Sequence, residues 1–88
     1  INIKTNKMKK LNEQITYDSS TIESTLYDYK TNDLIVSFNS GASYMFNSVS
    51  ETDYSIMKES ESVGRSFNQI IRPYGGIKIE ETNQELVK

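Results

Sequence analysis

The order of patterns along this chain predicts an α+β fold, an antiparallel sheet with helices packed on one face. Three observations carry that expectation. Between residues 22 and 47 apolar side chains recur at every second position, the period of a strand. Short polar stretches, one of them with a glycine, separate these runs. From residue 50 the period changes to three and four, the period of a helix. The 88 residues leave room for one core, and 35% of them are hydrophobic, against about 45–50% in typical domains on a count that includes glycine. Six Tyr and three Phe therefore matter more than their number suggests, since each buries about 150–250 Å².

Residues 1–5, Ile1-Asn2-Ile3-Lys4-Thr5, alternate briefly and suit an edge strand or a frayed end; residues 6–14 are polar and suit a linker or a weak helix. Ile22 to Tyr29 is rich in β-formers. Strict alternation there puts Ile22, Ser24, Leu26 and Asp28 on one face and Glu23, Thr25, Tyr27 and Tyr29 on the other. Lys30-Thr31-Asn32-Asp33 is turn chemistry. Leu34 to Phe38 is the second strand, with Leu34, Val36 and Phe38 sharing a face. Asn39-Ser40-Gly41 turns the chain into a third strand, Ser43 to Asn47, in which Tyr44 and Phe46 share a face. The expected core is thus a three-stranded meander.

Two short helices follow. Ser50-Glu51-Thr52-Asp53 resembles a capping box with Asp at the third helical position, and Tyr54 and Met57, with Ile56 beside them, supply a buried stripe to about Ser60. The second helix opens at Ser62; Val63, Phe67, Ile70 and Ile71 lie on one face, and Pro73 ends it. Tyr74-Gly75-Gly76 is a turn, Ile77 to Glu80 alternates as an extra edge strand would, and the rest suits a tail or short helix. The chain divides into a basic extension over residues 1–14, a domain over 15–76 and a second extension over 77–88.

The net charge of −2 is unevenly placed. Lys4, Lys7, Lys9 and Lys10 make the first extension basic, whereas eight acids face four bases between residues 15 and 76. An acidic body argues against broad binding to long nucleic acid, where neutralising phosphates dominates affinity. Without cysteine or histidine, disulfides, thiolate metal sites and the commonest general base are excluded. No carboxylates fall at metal-loop spacing, and a nucleophile–base–orienter trio could be assembled only if Lys, Tyr or a carboxylate served in place of His or Cys, so neither a metal, a cofactor nor enzymatic activity is expected. No apolar run reaches bilayer-spanning length and no signal-peptide pattern is present. A cytoplasmic setting without membrane contact is expected, for a chain that opens on Ile1 rather than Met.

The second helix carries the strongest candidate site. Arg65, Asn68, Gln69 and Arg72 lie opposite the apolar stripe, at spacings that suit a phosphate or carboxylate between two guanidinium forks. Gly64 in the first turn lets a ligand approach the backbone. The competing reading is a solvated face whose arginines pair with Glu59 and Glu61. Tyr44 with Phe46 offers either a stacking platform or core, and Tyr27 and Tyr29, opposite Leu26, suit exposed stacking or an oligomer interface.

These residues also resemble a known family. Ser19-Ser20-Thr21-Ile22, Tyr27-Asp28, Leu34 to Phe38, Gly41 with Tyr44-Met45-Phe46, and Ser62-Val63-Gly64-Arg65-Ser66-Phe67-Asn68 with Ile71-Arg72 resemble the KTSC domain over roughly residues 15–74. That module occurs alone in bacterial and phage proteins and at the C-terminus of some lysyl-tRNA synthetases. The family's central motif is usually Tyr-x-Tyr, so Tyr44-Met45-Phe46 lacks one hydroxyl. The resemblance implies no catalytic residues, and RNA binding has been suggested for the family. The expectation is a small non-catalytic binding module for a nucleotide-type or other anionic small ligand, or short RNA. In a phage such a module would sequester a nucleotide signal. The alternative is a protein-interaction or homo-oligomerisation module pairing through edge strands.

Overall fold

The computed structural model describes residues 11–79. Five antiparallel strands lie in sequence order: β1 (Asn12–Thr16), β2 (Ile22–Asp28), β3 (Asp33–Phe38), β4 (Ser43–Phe46) and β5 (Ile77–Lys78). The helices are α1 (Glu51–Lys58) and α2 (Val63–Ser66), and α2 runs on through a π turn (Phe67–Ile71) and a 3₁₀ turn (Arg72–Tyr74). The α+β class is as expected, and the sheet has two strands beyond the meander. β5 falls on the Ile77 alternation. β1 corrects the linker or weak helix expected up to residue 14: it pairs with β2 from Asn12↔Asp28 to Thr16↔Ser24. Its helix-side positions are Glu13 and Ile15, so a carboxylate stands where an apolar residue would have marked a strand. The expectations for residues 1–5 and 80–88 lie outside the described residues.

The turns follow local chemistry. Asp28 Oδ1 accepts the Lys30 amide at 2.8 Å, and Asn32 takes the left-handed conformation (φ 66°) that asparagine tolerates. Gly41, at φ 104°, closes the β3–β4 turn.

The faces of β2 are the reverse of those expected. Thr25 and Tyr27 are buried with Ile22, and Leu26 is 39% exposed. The cause is a β-bulge: Ile22 pairs with Phe38 but Ser24 pairs with Ser37, so Glu23 is an extra residue. One inserted residue moves every later side chain to the other face. Tyr27, expected at an exposed stacking face, is therefore core.

Both helices pack on the face presenting Tyr27, Leu34, Val36 and Phe46, adding Tyr54, Met57, Val63, Phe67 and Ile71. Tyr27 and Tyr54 stack at 4.1 Å between centroids with a 14° interplanar angle. The Tyr27 hydroxyl donates to the Val49 carbonyl and accepts from Asn32 Nδ2, so its polar end is satisfied. On the opposite face Leu26, Ile35, Met45 and Ile77 stand in register across four strands.

Ser50 caps α1, its Oγ accepting the Asp53 amide at 3.1 Å. The second half of the capping box is completed indirectly. Tyr74 Oη accepts the Ser50 amide at 3.3 Å and donates to Asp53 Oδ2 at 2.6 Å. Aspartate is one methylene shorter than glutamate, and the tyrosine hydroxyl spans the gap. It thereby ties the end of the second helical segment to the start of the first.

Candidate functional site

The π turn sets the geometry of the arginine face. The Arg72 amide reaches back to the Phe67 carbonyl, a five-residue step, directly before Pro73. Uninterrupted α-helix would place Arg72 almost directly below Arg65. With the extra residue in the turn, Arg72 instead lies over the Phe67 ring at 5.2 Å and its Nε donates to Asn68 Oδ1 at 2.9 Å. Arg65, Asn68 and Arg72 are all exposed. They form a continuous band that opens on two grooves rather than one shared face.

The first groove, about 520 Å³, lies between the β1–β2 connection and the start of α2. Gly64, Arg65 and Asn68 form one wall, and Asp18, Ser19, Ser20 and Thr21 form the other. Ser60, Glu61 and Ser62 complete the rim. Ser19 Oγ accepts the Thr21 and Ile22 amides at 3.1 and 3.2 Å, which holds the connection in place. The lining mixes a guanidinium and hydroxyls with two carboxylates. It thus offers partners both to an anionic group and to hydroxyl or amino donors.

The second groove, about 340 Å³, lies beyond Arg72 and is lined by Phe38, Tyr44, Phe46 and Phe67, with Ser40, Ala42 and Gly76 at its edges. Phe46 and Phe67 are buried; Phe38 and Tyr44 are half-buried and packed against the core. Tyr44 thus joins the candidate site with Arg72, while Gly64, Arg65 and Asn68 belong to the adjoining groove.

Tyr27 and Tyr29 lie apart from both grooves, in a cluster that sequence reasoning missed. Glu13 Oε1 accepts from Tyr54 Oη at 2.6 Å, Lys58 Nζ at 2.8 Å and Tyr29 Oη at 3.1 Å. The Lys58 and Tyr54 hydrogen bonds pull the Glu13 pKa from 4.5 down to about 2. Burial, then the bond to Glu13, push Tyr54 well above its ordinary value. For Lys58, burial is the largest single influence and opposes the ammonium, but the bond to Glu13 and the charge interactions with Tyr29 and Glu13 together outweigh it and the pKa rises. Tyr29 stands edge-on to Tyr27 at 4.8 Å. This cluster fastens β1 to α1. No pattern flags it, because Glu13 and Lys58 are 45 residues apart.

Lys58–Glu13 is the one ion pair among the described residues. The expected alternative, pairing of Arg65 and Arg72 with Glu59 and Glu61, is not found there. Among the described residues no three His, Cys, Asp or Glu side chains converge as metal ligands, and no helix is long and apolar enough to cross a membrane.

The model of the KTSC domain matches residues 18–74. The chain belongs to the KTSC domain family. An uncharacterized protein of Stutzerimonas stutzeri strain A1501 is 34% identical over 61 residues, covering 69% of this chain and 86% of the relative. The crystal structure of a KTSC domain protein from Yersinia pestis superposes with a TM-score of 0.68 at 27% identity, over 78% of this chain and 99% of that one. Both grooves of this KTSC domain draw almost all their lining from the matched segment: Tyr17 and Gly76 alone fall outside it. β1, which supplies Glu13, and β5 lie wholly outside it yet complete the sheet.

Proposed function

We propose that this KTSC domain is a non-catalytic binding module for a small nucleotide-type anion, held by Arg65 and Arg72 on either side of Asn68. One observation carries the reading. Two exposed guanidinium groups without an ion-pair partner among the described residues stand at the mouths of adjoining grooves. Arg65 supplies a bidentate donor for phosphate. Asp18 and Glu61 supply acceptors for ribose hydroxyls or base amines, groups that bare phosphate lacks. The net charge of −2 favours a small ligand close to local arginines over a long polyanion. In a phage setting, and in the cytoplasm where nucleotides are abundant, such a module would sequester a nucleotide signal.

Calorimetric titration with mono-, di- and cyclic nucleotides and a short RNA tests this. Arg65→Ala is expected to weaken whichever binds by tenfold or more. Gly64→Ala is a second probe. Its Cβ would sit 3.5 Å from Thr21, an ordinary contact, so the fold is expected to survive while close approach to the backbone is lost. Silence across the whole panel would end the proposal.

A second reading rests on the outer face. The row Leu26, Ile35, Met45, Ile77, beside the short edge strand β5, suits assembly with another chain. Sedimentation of the full chain decides its self-association form, and a monomer at high concentration rejects it.

A further inference from the structure

We infer that the aromatic groove is a ring-binding subsite for the planar heterocycle of the same ligand, an inference that rests on the anion reading above. Tyr44 is set apart from the other five tyrosines. Their hydroxyls are engaged within the fold: Tyr17 with Thr25, Tyr27 with Val49 and Asn32, Tyr29 and Tyr54 with Glu13, Tyr74 with Asp53. The Tyr44 hydroxyl has no hydrogen-bond partner among the described residues, and its ring is only half-buried.

The rings around it form an edge-to-face chain. Tyr44 meets Phe38 at 5.9 Å and 80°, Phe38 meets Phe67 at 5.3 Å and 77°, and Phe67 meets Phe46 at 5.4 Å and 79°. Phe46 and Phe67, almost fully buried, are the floor; Phe38 and Tyr44 are the accessible walls. Edge-to-face packing satisfies ring edges against neighbouring faces and leaves room for a flat guest to stack on a wall. Arg72 sits at the rim, held by Asn68 and lying over Phe67. A guanidinium plane both stacks on heterocycles and carries the charge an anionic ligand needs. Gly76 closes one end, where a Cβ would fall 2.5 Å from the Phe46 ring.

The two grooves abut at the Asn68–Arg72 bond, since Asn68 lines the polar groove and Arg72 the aromatic one. A molecule carrying both a heterocycle and a phosphate engages both, and the second contact is then intramolecular. That selects a nucleotide over a sugar phosphate.

The test titrates the full chain with the four 5′-mononucleotides and with ribose 5-phosphate, which has the phosphate and sugar but no ring. At least one mononucleotide is expected to bind about tenfold tighter than ribose 5-phosphate, within the range measured for base–aromatic stacking. Tyr44→Leu should abolish that difference while leaving ribose 5-phosphate unchanged. Ser40→Trp, which fills the groove from its exposed edge, should do the same in a protein whose melting temperature is unaltered. Equal binding of ringed and ringless compounds overturns the ring subsite and leaves the anion reading standing. So does a preference for mononucleotides that survives both substitutions. No binding of any of the five compounds overturns the ring subsite for mononucleotides, and the anion reading falls with it when the di- and cyclic nucleotides and the short RNA are silent as well.

Discussion

Replacing Glu13 by Gln isolates the charge of the β1–α1 fastening, because an amide oxygen still accepts from Tyr54 and Tyr29. The Glu13 pKa falls from 4.5 to about 2 on folding, chiefly through Lys58 and Tyr54. That displacement converts to about 3.4 kcal/mol. The Glu13 side chain is 35% exposed, and solvent screening brings the net contribution to about 1.5–2 kcal/mol. Because the folded-state pKa is depressed, this stability is present above about pH 4.5 and is lost as pH falls toward 2. Urea unfolding of wild type and Glu13→Gln at pH 7, 5, 3.5 and 2.5 measures it. The variant should be less stable by about 1.5–2 kcal/mol at pH 7, with the gap closing steadily below pH 4.5. A gap that stays constant down to pH 2.5 would show that Glu13 acts through shape rather than charge. No gap at pH 7 would show that the Glu13 charge contributes nothing.

Burial, ahead of any charge effect, raises the pKa values of Tyr17, Tyr27, Tyr29 and Tyr54 above 10. Stability should therefore hold below pH 10 and fall above it, with tyrosinate absorbance rising together with loss of the circular-dichroism signal. Gly76→Ala, which forces a methyl into the Phe46 ring, should cost about 1–3 kcal/mol in a urea titration. Gly64→Ala should be neutral or raise stability by up to about 1 kcal/mol by the same measurement. Tyr74→Phe removes the bridge between the Ser50 amide and Asp53, and should lower stability by about 1 kcal/mol in thermal unfolding.

Wherever one period governed a whole element, the sequence was readable. β3, β4 and the stripe Val63, Phe67, Ile71 needed only alternation or helical spacing, and Ser50 marked the start of α1. Alternation failed at β2 because a bulge leaves no residue-type signature when the extra residue is Glu23. It failed at β1 because a core-facing position holds Glu13, whose partners lie on α1 and β2. The arginine band was legible in composition but not in geometry. Helical spacing assumed a uniform turn, and the π turn before Pro73 sends Arg72 to a second groove. Phe38 went unrecognised as a groove wall, because alternation places it with Leu34 and Val36 on the core face and does not show how far the helices cover it.

The clasp between Glu13 and α1 also bears on the order of folding. Each strand of the meander pairs with its sequence neighbour, so every hairpin from β1 to β4 closes a short loop. The Glu13 bonds to Tyr54 and Lys58 span 41 and 45 residues, and their closure carries a larger entropic cost that grows with the logarithm of loop length. They are therefore expected to form after the sheet and α1 exist, on the native side of the rate-limiting barrier. The destabilisation in Glu13→Gln should then emerge as faster unfolding with an unchanged folding rate in stopped-flow chevrons. On that outcome β1 is a latch: it governs how long the domain stays folded, not how quickly it gets there.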